Sequence, residues 1–257
     1  MDLQEIKETG IEIFDKTLDL VYPRHCPVCD EIVSAISFGW DGVVTGQLIH
    51  DKCRKKIRYI HGNTCLKCGK LLPDSESDNE YCRDCYKTKH VFDRGFSIFE
   101  YRSISGAIYR FKYSGRQEYA RFFAGEAKKL CGARLKKLGI EAIVPVPMFK
   151  GKEKKRGYNQ AEIFAKELSL ALKIPMRNDI IERNRNTRPM KELDVCGRRN
   201  NLKKAFNITQ NDVKFKCILI IDDIYTTGST IDEIAHEFRI TGVKRIYFLT
   251  LAIGQTT

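Results

Sequence analysis

The clearest hydrophobic pattern in the chain is a run of four aliphatic residues, 218–221, that ends at two adjacent acids. Such a run is typical of a strand that is buried on both faces of a parallel sheet. After a short polar loop, apolar residues return at helical spacing until Gly242. They are Ile231, Ile234, Ala235 and Phe238. Because Thr230 and Glu233 have the spacing of a capping box, the pattern predicts a strand, a loop and a capped helix.

Strand and helix patterns alternate from about Phe92 onward. The other predicted strands are 96–101, 142–147 and 243–253, and the other predicted helices are 105–113, 119–138 and a segment with Phe164, Leu168, Ala171 and Leu172 on one face. We expect residues 142–147 to be the first strand of the parallel sheet. A basic loop, 150–157, follows it, and residues 183–201 form a long polar connection. This alternation predicts an α/β fold.

Polar chemistry is concentrated directly after the aliphatic strand, where open α/β sheets bind their ligands. Asp222 and Asp223 come first, and the loop continues with Thr226, Thr227, Gly228, Ser229 and Thr230. Glycine allows close approach of the backbone, the hydroxyls add donors, and the helix N-terminus favours an anion such as a phosphomonoester. Carboxylates accept hydrogen bonds from vicinal hydroxyls. The pattern therefore predicts a sugar-phosphate site; the alternative is a solvated acid pair before a capped helix.

Seven of the ten cysteines lie between residues 26 and 85, which indicates a separate N-terminal module. Together with one histidine they form four pairs with two residues between the partners. The eight candidate ligands are Cys26, Cys29, His50, Cys53, Cys65, Cys68, Cys82 and Cys85. Sets of four thiolate and imidazole ligands without an open position are typical of structural zinc. We predict that the first four hold one ion and the last four another; a cross-braced pairing and a non-ligating His50 stay open.

The two compositions predict an N-terminal helix and zinc-binding domain over residues 1–91 and an α/β domain over residues 92–257. Acids are interspersed in the first residues and no long uncharged run follows, so we expect neither a signal peptide nor a membrane span and a cytoplasmic location. In that reducing compartment cysteine pairs are more often metal ligands than disulfides. Chelation is expected to unfold residues 26–85 and to leave the sheet more intact.

A net charge of +12, from 45 basic and 33 acidic residues, favours polyanionic partners. Two basic clusters flank the expected ligand mouth: Lys152, Lys154, Lys155 and Arg156, and then Arg198, Arg199, Lys203 and Lys204. We predict that they bind single-stranded DNA, with Tyr158 or Tyr59 stacking on bases. The alternative is that the surplus charge serves solubility alone.

The acid-pair loop resembles the signature of type I phosphoribosyltransferases. The order of the paired cysteines, residues 111–116, 144–147 and 156–161, an arginine-rich stretch through Asn201, and the acid-pair loop resembles the ComF family of ComFC-type competence proteins. This resemblance implies a phosphoribosyltransferase-like parallel sheet with helices on both faces, preceded by a small zinc-binding domain. It also implies a part in DNA uptake during natural transformation.

The resemblance also implies roles for residues of the site. The candidate catalytic residues Asp222 and Asp223 would contact the ribose hydroxyls of 5-phosphoribosyl-1-pyrophosphate (PRPP), and the loop 226–230 would wrap its 5-phosphate. The cations expected near the diphosphate are Lys112, Arg116, Arg156 and Arg183. Magnesium would be held mainly by oxygens of PRPP, because this ion keeps its waters.

Two positions depart from the family pattern. His50 stands where relatives usually have cysteine, and Met190 stands where they usually have glutamine. The function predicted is that of a PRPP-binding protein of DNA uptake, with proteins of the uptake or recombination machinery as further partners. Two alternatives stay open: an active phosphoribosyltransferase with an unidentified acceptor, and a PRPP-sensing regulator without turnover.

Overall fold

The computed structural model describes residues 23–33, 47–76, 78–185, 205–209 and 214–254. Its strands are β1 (Arg94–Glu100), β2 (Ala142–Pro145), β3 (Ile181–Arg183), β4 (Phe206–Ile208), β5 (Cys217–Tyr225) and β6 (Arg245–Ile253). Its helices are α1 (Asp51–Arg54), α2 (Arg83–Lys87), α3 (Tyr101–Tyr113), α4 (Tyr119–Lys137), α5 (Lys150–Arg156), α6 (Gln160–Leu172) and α7 (Ser229–Ile240). Met190 and the second basic cluster lie outside the described residues.

Four strands form a parallel sheet in the order β1, β6, β5, β2. Leu219 of β5 pairs with Ile143 of β2 on one side and with Tyr247 of β6 on the other. β5 is therefore an interior strand, as its aliphatic run predicts. Strands β3 and β4 form a separate antiparallel pair. None of the helices in the described residues is long and apolar enough to cross a bilayer.

Helices cover both faces of the sheet. On one face, α4 packs against α6, and Phe123 and Phe164 share an apolar core with Leu219. On the other face, Phe238 of α7 shares a second core with Ile220. Successive residues of β5 thus alternate between two cores, as the two-residue period of a strand requires. The predicted α/β fold with helices on both faces is confirmed.

The N-terminal cysteine segments contribute to both cores. Cys26 and Cys53 belong to the core under α4 and α6, and Cys65, Cys68 and Cys82 belong to the core under α7. The chain between these segments follows the edge of β1, where the Ile60 amide donates to the Ile98 carbonyl over 2.9 Å. The cysteine module therefore packs against the sheet directly. The domain boundary near residue 91 stays a prediction.

The structure corrects two predictions about elements. Residues 142–147 do not form the first strand of the sheet, because β1 precedes them and pairs with β6, for example Phe96 with Leu249. Residues 150–157 are not a loop, because α5 occupies most of them. Lysine has a good helix propensity, and Gly157 ends the helix in the left-handed conformation at φ +92°.

Candidate ligand site and metal centres

The acid pair lies at the carboxyl end of β5. Asp222 is half-buried, lines a small pocket with the following loop, and accepts a hydrogen bond from the Asp223 amide over 2.8 Å. Asp223 is buried, with its Oδ2 atom 2.5 Å from Lys112 Nζ and 3.1 Å from the donating Nε2 of Gln160. Protein groups therefore balance the charge of Asp223, whereas Asp222 faces the pocket.

The two carboxyl groups influence the protonation of their surroundings. Burial, and then the negative charge of Asp223, raise the pKa of Asp222 to about 7. Burial alone would lower the pKa of Lys112, but the charge and hydrogen bond of Asp223 more than compensate, so its pKa lies above its ordinary value. Asp222 is therefore the group of the site that exchanges a proton near neutral pH.

The loop after β5 has the backbone shape of an anion site. Gly228 has φ +78° and is the N-cap of α7, so the helix N-terminus points at the pocket. A Cβ atom at Gly228 would lie 2.7 Å from Tyr225 Oη and 3.1 Å from His90 Cε1. The hydroxyls of Thr227 and Ser229 lie 2.9 Å apart. Only glycine fits this turn without strain or displacement of the side chains behind it.

The capping box predicted for α7 is wrong, because the helix begins at Ser229 and Thr230 already lies inside it. A different acid anchors the first turn. Asp232 accepts a hydrogen bond from the Val91 amide over 2.8 Å and lies 2.7 Å from Nδ1 of His90. The segment that leaves the last cysteine pair thereby holds α7 from behind. Nothing local in the sequence points to this long-range contact.

Three of the four predicted cations lie near the acid pair. Lys112 contacts Asp223, and Arg156 donates to the Gln160 side chain that also reaches Asp223. Arg183 lies on β3, close enough to Asp222 for their charges to interact. Gln160 was missed as a site residue, although it stands in the motif 156–161.

The structure places Arg116 elsewhere. Its Nε donates to Asp30 over 2.9 Å, and its Nη1 lies 3.0 Å from His25 Nδ1. Asp30 also accepts from Tyr119 over 2.5 Å. Arg116 therefore fastens the first cysteine segment to α4, and the structure does not bring it to the acid pair. The sequence contains no signal that distinguishes it from Lys112.

The last four ligands form one cluster. The sulfur atoms of Cys65, Cys68, Cys82 and Cys85 all lie within 4.8 Å of one another, and those of Cys68 and Cys82 are 3.7 Å apart. A tetrahedral zinc ion with Zn–S bonds of about 2.3 Å places its sulfurs about 3.8 Å apart. The donor set and its spacing therefore fit a structural zinc ion.

The first four ligands form a second cluster, with all donor atoms again within 4.8 Å. His50 Nδ1 lies 3.4 Å from Cys29 Sγ, and His50 Nε2 lies 3.1 Å from the Ile32 carbonyl oxygen. A carbonyl only accepts, so Nε2 carries the proton and Nδ1 is left to bind a metal. The sequential grouping of the ligands is the one that the structure has.

Comparison with family models agrees with both parts of the structure. A model described as a double zinc ribbon domain matches residues 17–86, and a model described as a phosphoribosyl transferase domain matches residues 158–256. The fold and the sites thus define a phosphoribosyltransferase-like protein with an N-terminal double zinc ribbon. We call the segment of the first four ligands the first ribbon and that of the last four the second ribbon.

Known relatives identify the family. Competence protein F of Haemophilus influenzae is 32% identical over 78% of this chain and 88% of its own length. Competence protein ComFC of Bacillus subtilis is 27% identical over 70% of this chain and 72% of its own. DNA utilization protein YhgH of Escherichia coli K12 is 30% identical over 66% and 75%. The chain belongs to the ComF family.

A test of the electrostatics is the Asp222→Asn variant. A carboxyl group whose pKa is raised on folding binds its proton more tightly in the native state, so it lowers stability as pH rises from about 4 to about 7. We expect the variant to unfold like the wild type near pH 4 and to be more stable by about 2 kcal/mol at pH 8. Urea titrations at the two pH values measure this difference. An equal effect at both values would contradict it.

Proposed function

We propose that the protein binds PRPP together with Mg²⁺ at the acid-pair loop and handles single-stranded DNA during natural transformation. The observation that carries the first part is the convergence of Asp222, the Gly228 turn and a group of cations at one end of β5. The second part is supported by the printed names of the relatives, two of which are competence proteins.

Each part of PRPP has a proposed partner. The loop 226–230 and the N-terminus of α7 bind the 5-phosphate. Asp222 and Asp223 accept from the ribose hydroxyls; both protein contacts of Asp223 use Oδ2, so its Oδ1 serves this role. Lys112, Arg156 and Arg183 lie where the diphosphate would need positive charge. Magnesium, when bound with PRPP, bridges ligand oxygens and offsets their charge.

The proposal also includes two structural zinc ions, one in each ribbon, within a zinc-binding domain of residues 1–91 that precedes the domain of residues 92–257. Ligand thiols of this kind are maintained in a reducing compartment, which is why we place the protein in the cytoplasm.

PRPP binding is tested by calorimetry on the Asp222→Ala, Asp223→Ala double variant. The variant loses the acceptors for the ribose hydroxyls and keeps the phosphate loop. We expect wild type to bind PRPP in the presence of Mg²⁺ and the variant to bind more weakly by about 1–3 kcal/mol. The exposed Asp74 provides a matched control, since Asp74→Ala removes a carboxyl group far along the chain in the second ribbon.

Circular dichroism must show that the double variant is folded. Unchanged affinity in a folded double variant would move the PRPP site elsewhere, and a wild type that does not bind Mg²⁺ and PRPP would overturn the proposal. Equal weakening by Asp74→Ala would show that the loss is a non-specific effect of charge.

One observation favours the alternative of an active transferase. A cavity of about 150 Å³ lies beside the acid-pair site, between the chain after β2 and strand β3, and Arg183 lines it together with Asn178. Such a cavity offers room near the reacting end of PRPP for part of an acceptor. Pyrophosphate release from PRPP, measured with DNA, nucleosides or free bases, distinguishes a transferase from a protein that only binds PRPP.

A further inference from the structure

Two tyrosine side chains on α3 lie exposed next to each other. Tyr109 and Tyr113 are 61% and 57% exposed, and their ring centroids are 5.1 Å apart with planes tilted by 49°. The opposite side of the same helix carries the core residues Ile104, Ile108 and Phe111. Single exposed apolar side chains are ordinary in soluble proteins, but an adjacent aromatic pair outside the core indicates a contact surface.

A strongly basic helix borders this pair. The guanidinium carbon of Arg156, on α5, lies 4.8 Å from the ring centroid of Tyr113. Five of the seven residues of α5 are Lys or Arg, and its one acid is Glu153. Burial, followed by the positive charges of Arg183 and Arg156, lowers the pKa of Lys152. Positive charge is therefore crowded beside the tyrosines, and the surface is complementary to a polyanion.

The same residues lead to the acid-pair site. Arg156 donates to Gln160, and Gln160 donates to Asp223. Lys112, which precedes Tyr113 on α3, forms the ion pair with Asp223. A polymer lying on the tyrosines would thus run beside the proposed PRPP site.

We propose that Tyr109, Tyr113 and Arg156 form a stacking platform for the unpaired bases of single-stranded nucleic acid, whose phosphates run along α5. Aromatic rings combined with a cationic track are the means by which proteins bind single strands without reading sequence. Arginine stacked on a tyrosine face adds a planar cation to the same surface. The inference rests on the proposed DNA handling and assigns it to these residues.

The platform replaces the stacking residues expected from the sequence. Tyr158 is buried and its hydroxyl donates to the Phe111 carbonyl. Tyr59 is half-buried, and its hydroxyl donates to Glu126 over 2.7 Å. Both rings are held by the fold, so neither is placed to receive a base.

The test is fluorescence anisotropy with a labelled thymidine 20-mer and the full chain. We expect the Tyr109→Ala, Tyr113→Ala variant to bind at least about tenfold more weakly, because each stacked base loses its ring. The dependence of affinity on salt should keep the wild-type slope, since no cation is removed. Tyr109→Phe with Tyr113→Phe keeps the rings and should retain affinity. Tyr86→Ala, at a tyrosine that is 86% exposed on α2, is the matched control and should have no effect.

Two further probes separate stacking from charge. An oligomer of the same length without bases should bind the alanine variant and the wild type equally. Neutralising Lys154 and Lys155 should flatten the salt dependence by about one unit of slope if both contact phosphates, at about 0.7 per phosphate. All the tyrosines are exposed, so thermal melting should change little among these variants.

The outcomes distinguish the platform from the broader proposal. Wild type that binds no single strand near physiological salt would overturn DNA handling, and the platform with it. Wild type that binds while the alanine variant keeps its affinity would overturn the platform alone and leave the tyrosines to a protein partner. A loss of affinity in the phenylalanine variant would assign the contact to the hydroxyls and also overturn stacking.

Discussion

Replacing Cys68 by serine is expected to reduce the zinc content of the protein from two ions per chain to one and to destabilise the whole chain. A structural zinc site in a small ribbon contributes about 10–16 kcal/mol of apparent binding free energy, and this free energy is coupled to folding. The sulfur of Cys68 lies in a closed set of four cysteines. A hydroxyl is a poor substitute, because thiolate is the soft ligand that zinc prefers.

The packing of the ribbons alters what metal loss should do. From the sequence we expected the sheet to remain more intact after chelation. In the structure Cys65 and Cys68 share a core with Phe92, Phe248 and the apolar face of α7. Loss of the second zinc ion should therefore also loosen α7 and the phosphate loop that precedes it.

Elemental analysis and thermal unfolding measure both effects. Cys131→Ser is the matched control, since Cys131 is buried on α4 outside both clusters, and this variant should keep two zinc ions. One zinc ion or none in the wild type would contradict the two-site assignment. Two ions in the Cys68→Ser variant would exclude Cys68 as a ligand.

The first zinc ion offers a more selective test at His50. His50→Ala should lose that ion alone, because Nδ1 is a donor of the first cluster. His50→Cys should retain it, since cysteine is the residue usual in relatives at this position and is an equally good zinc ligand. An alanine variant with two bound zinc ions would show that three cysteines suffice.

The features that the sequence predicts well are local in the chain. The strand, the acid pair and the glycine turn occupy one stretch of residues, 217–230, and each ligand pair lies within one turn of backbone. Periodicity and spacing are sufficient there, because the contacts join near neighbours. The parallel sheet and the two ligand sets were predicted on that basis.

The features that the sequence does not predict join distant residues. His90 meets Asp232 across 142 positions, and Arg116 meets Asp30 across 86. Nothing near Arg116 in the sequence distinguishes a cation that fastens a ribbon from one that serves a ligand. Strand β1 was misplaced for the same reason, since its partner β6 lies at the other end of the chain. These assignments depend on topology, which local patterns do not contain.

The ion pair between Lys112 and Asp223 leads to the second large effect. The side chains are 18% and 9% exposed, and their charged atoms lie 2.5 Å apart. Asp222 adds a second carboxyl group beside them. Lys112 is thus the contact that allows two adjacent acids to remain at the end of a buried strand. The site holds this lysine for balance of charge as well as for any contact with a ligand.

Replacing Lys112 by methionine should therefore lower the free energy of unfolding by about 3–5 kcal/mol, because it leaves the carboxylate of Asp223 buried without its cation. A second change, Asp223→Asn, should recover most of the loss, since it removes the uncompensated charge. Urea unfolding of the single and double variants measures both values. The control is Lys129→Met, whose side chain is 67% exposed in its pair with Glu126 and should cost at most about 1 kcal/mol. If Lys112→Met costs no more than this control, the pair does not balance the acid site, and Lys112 serves the ligand alone.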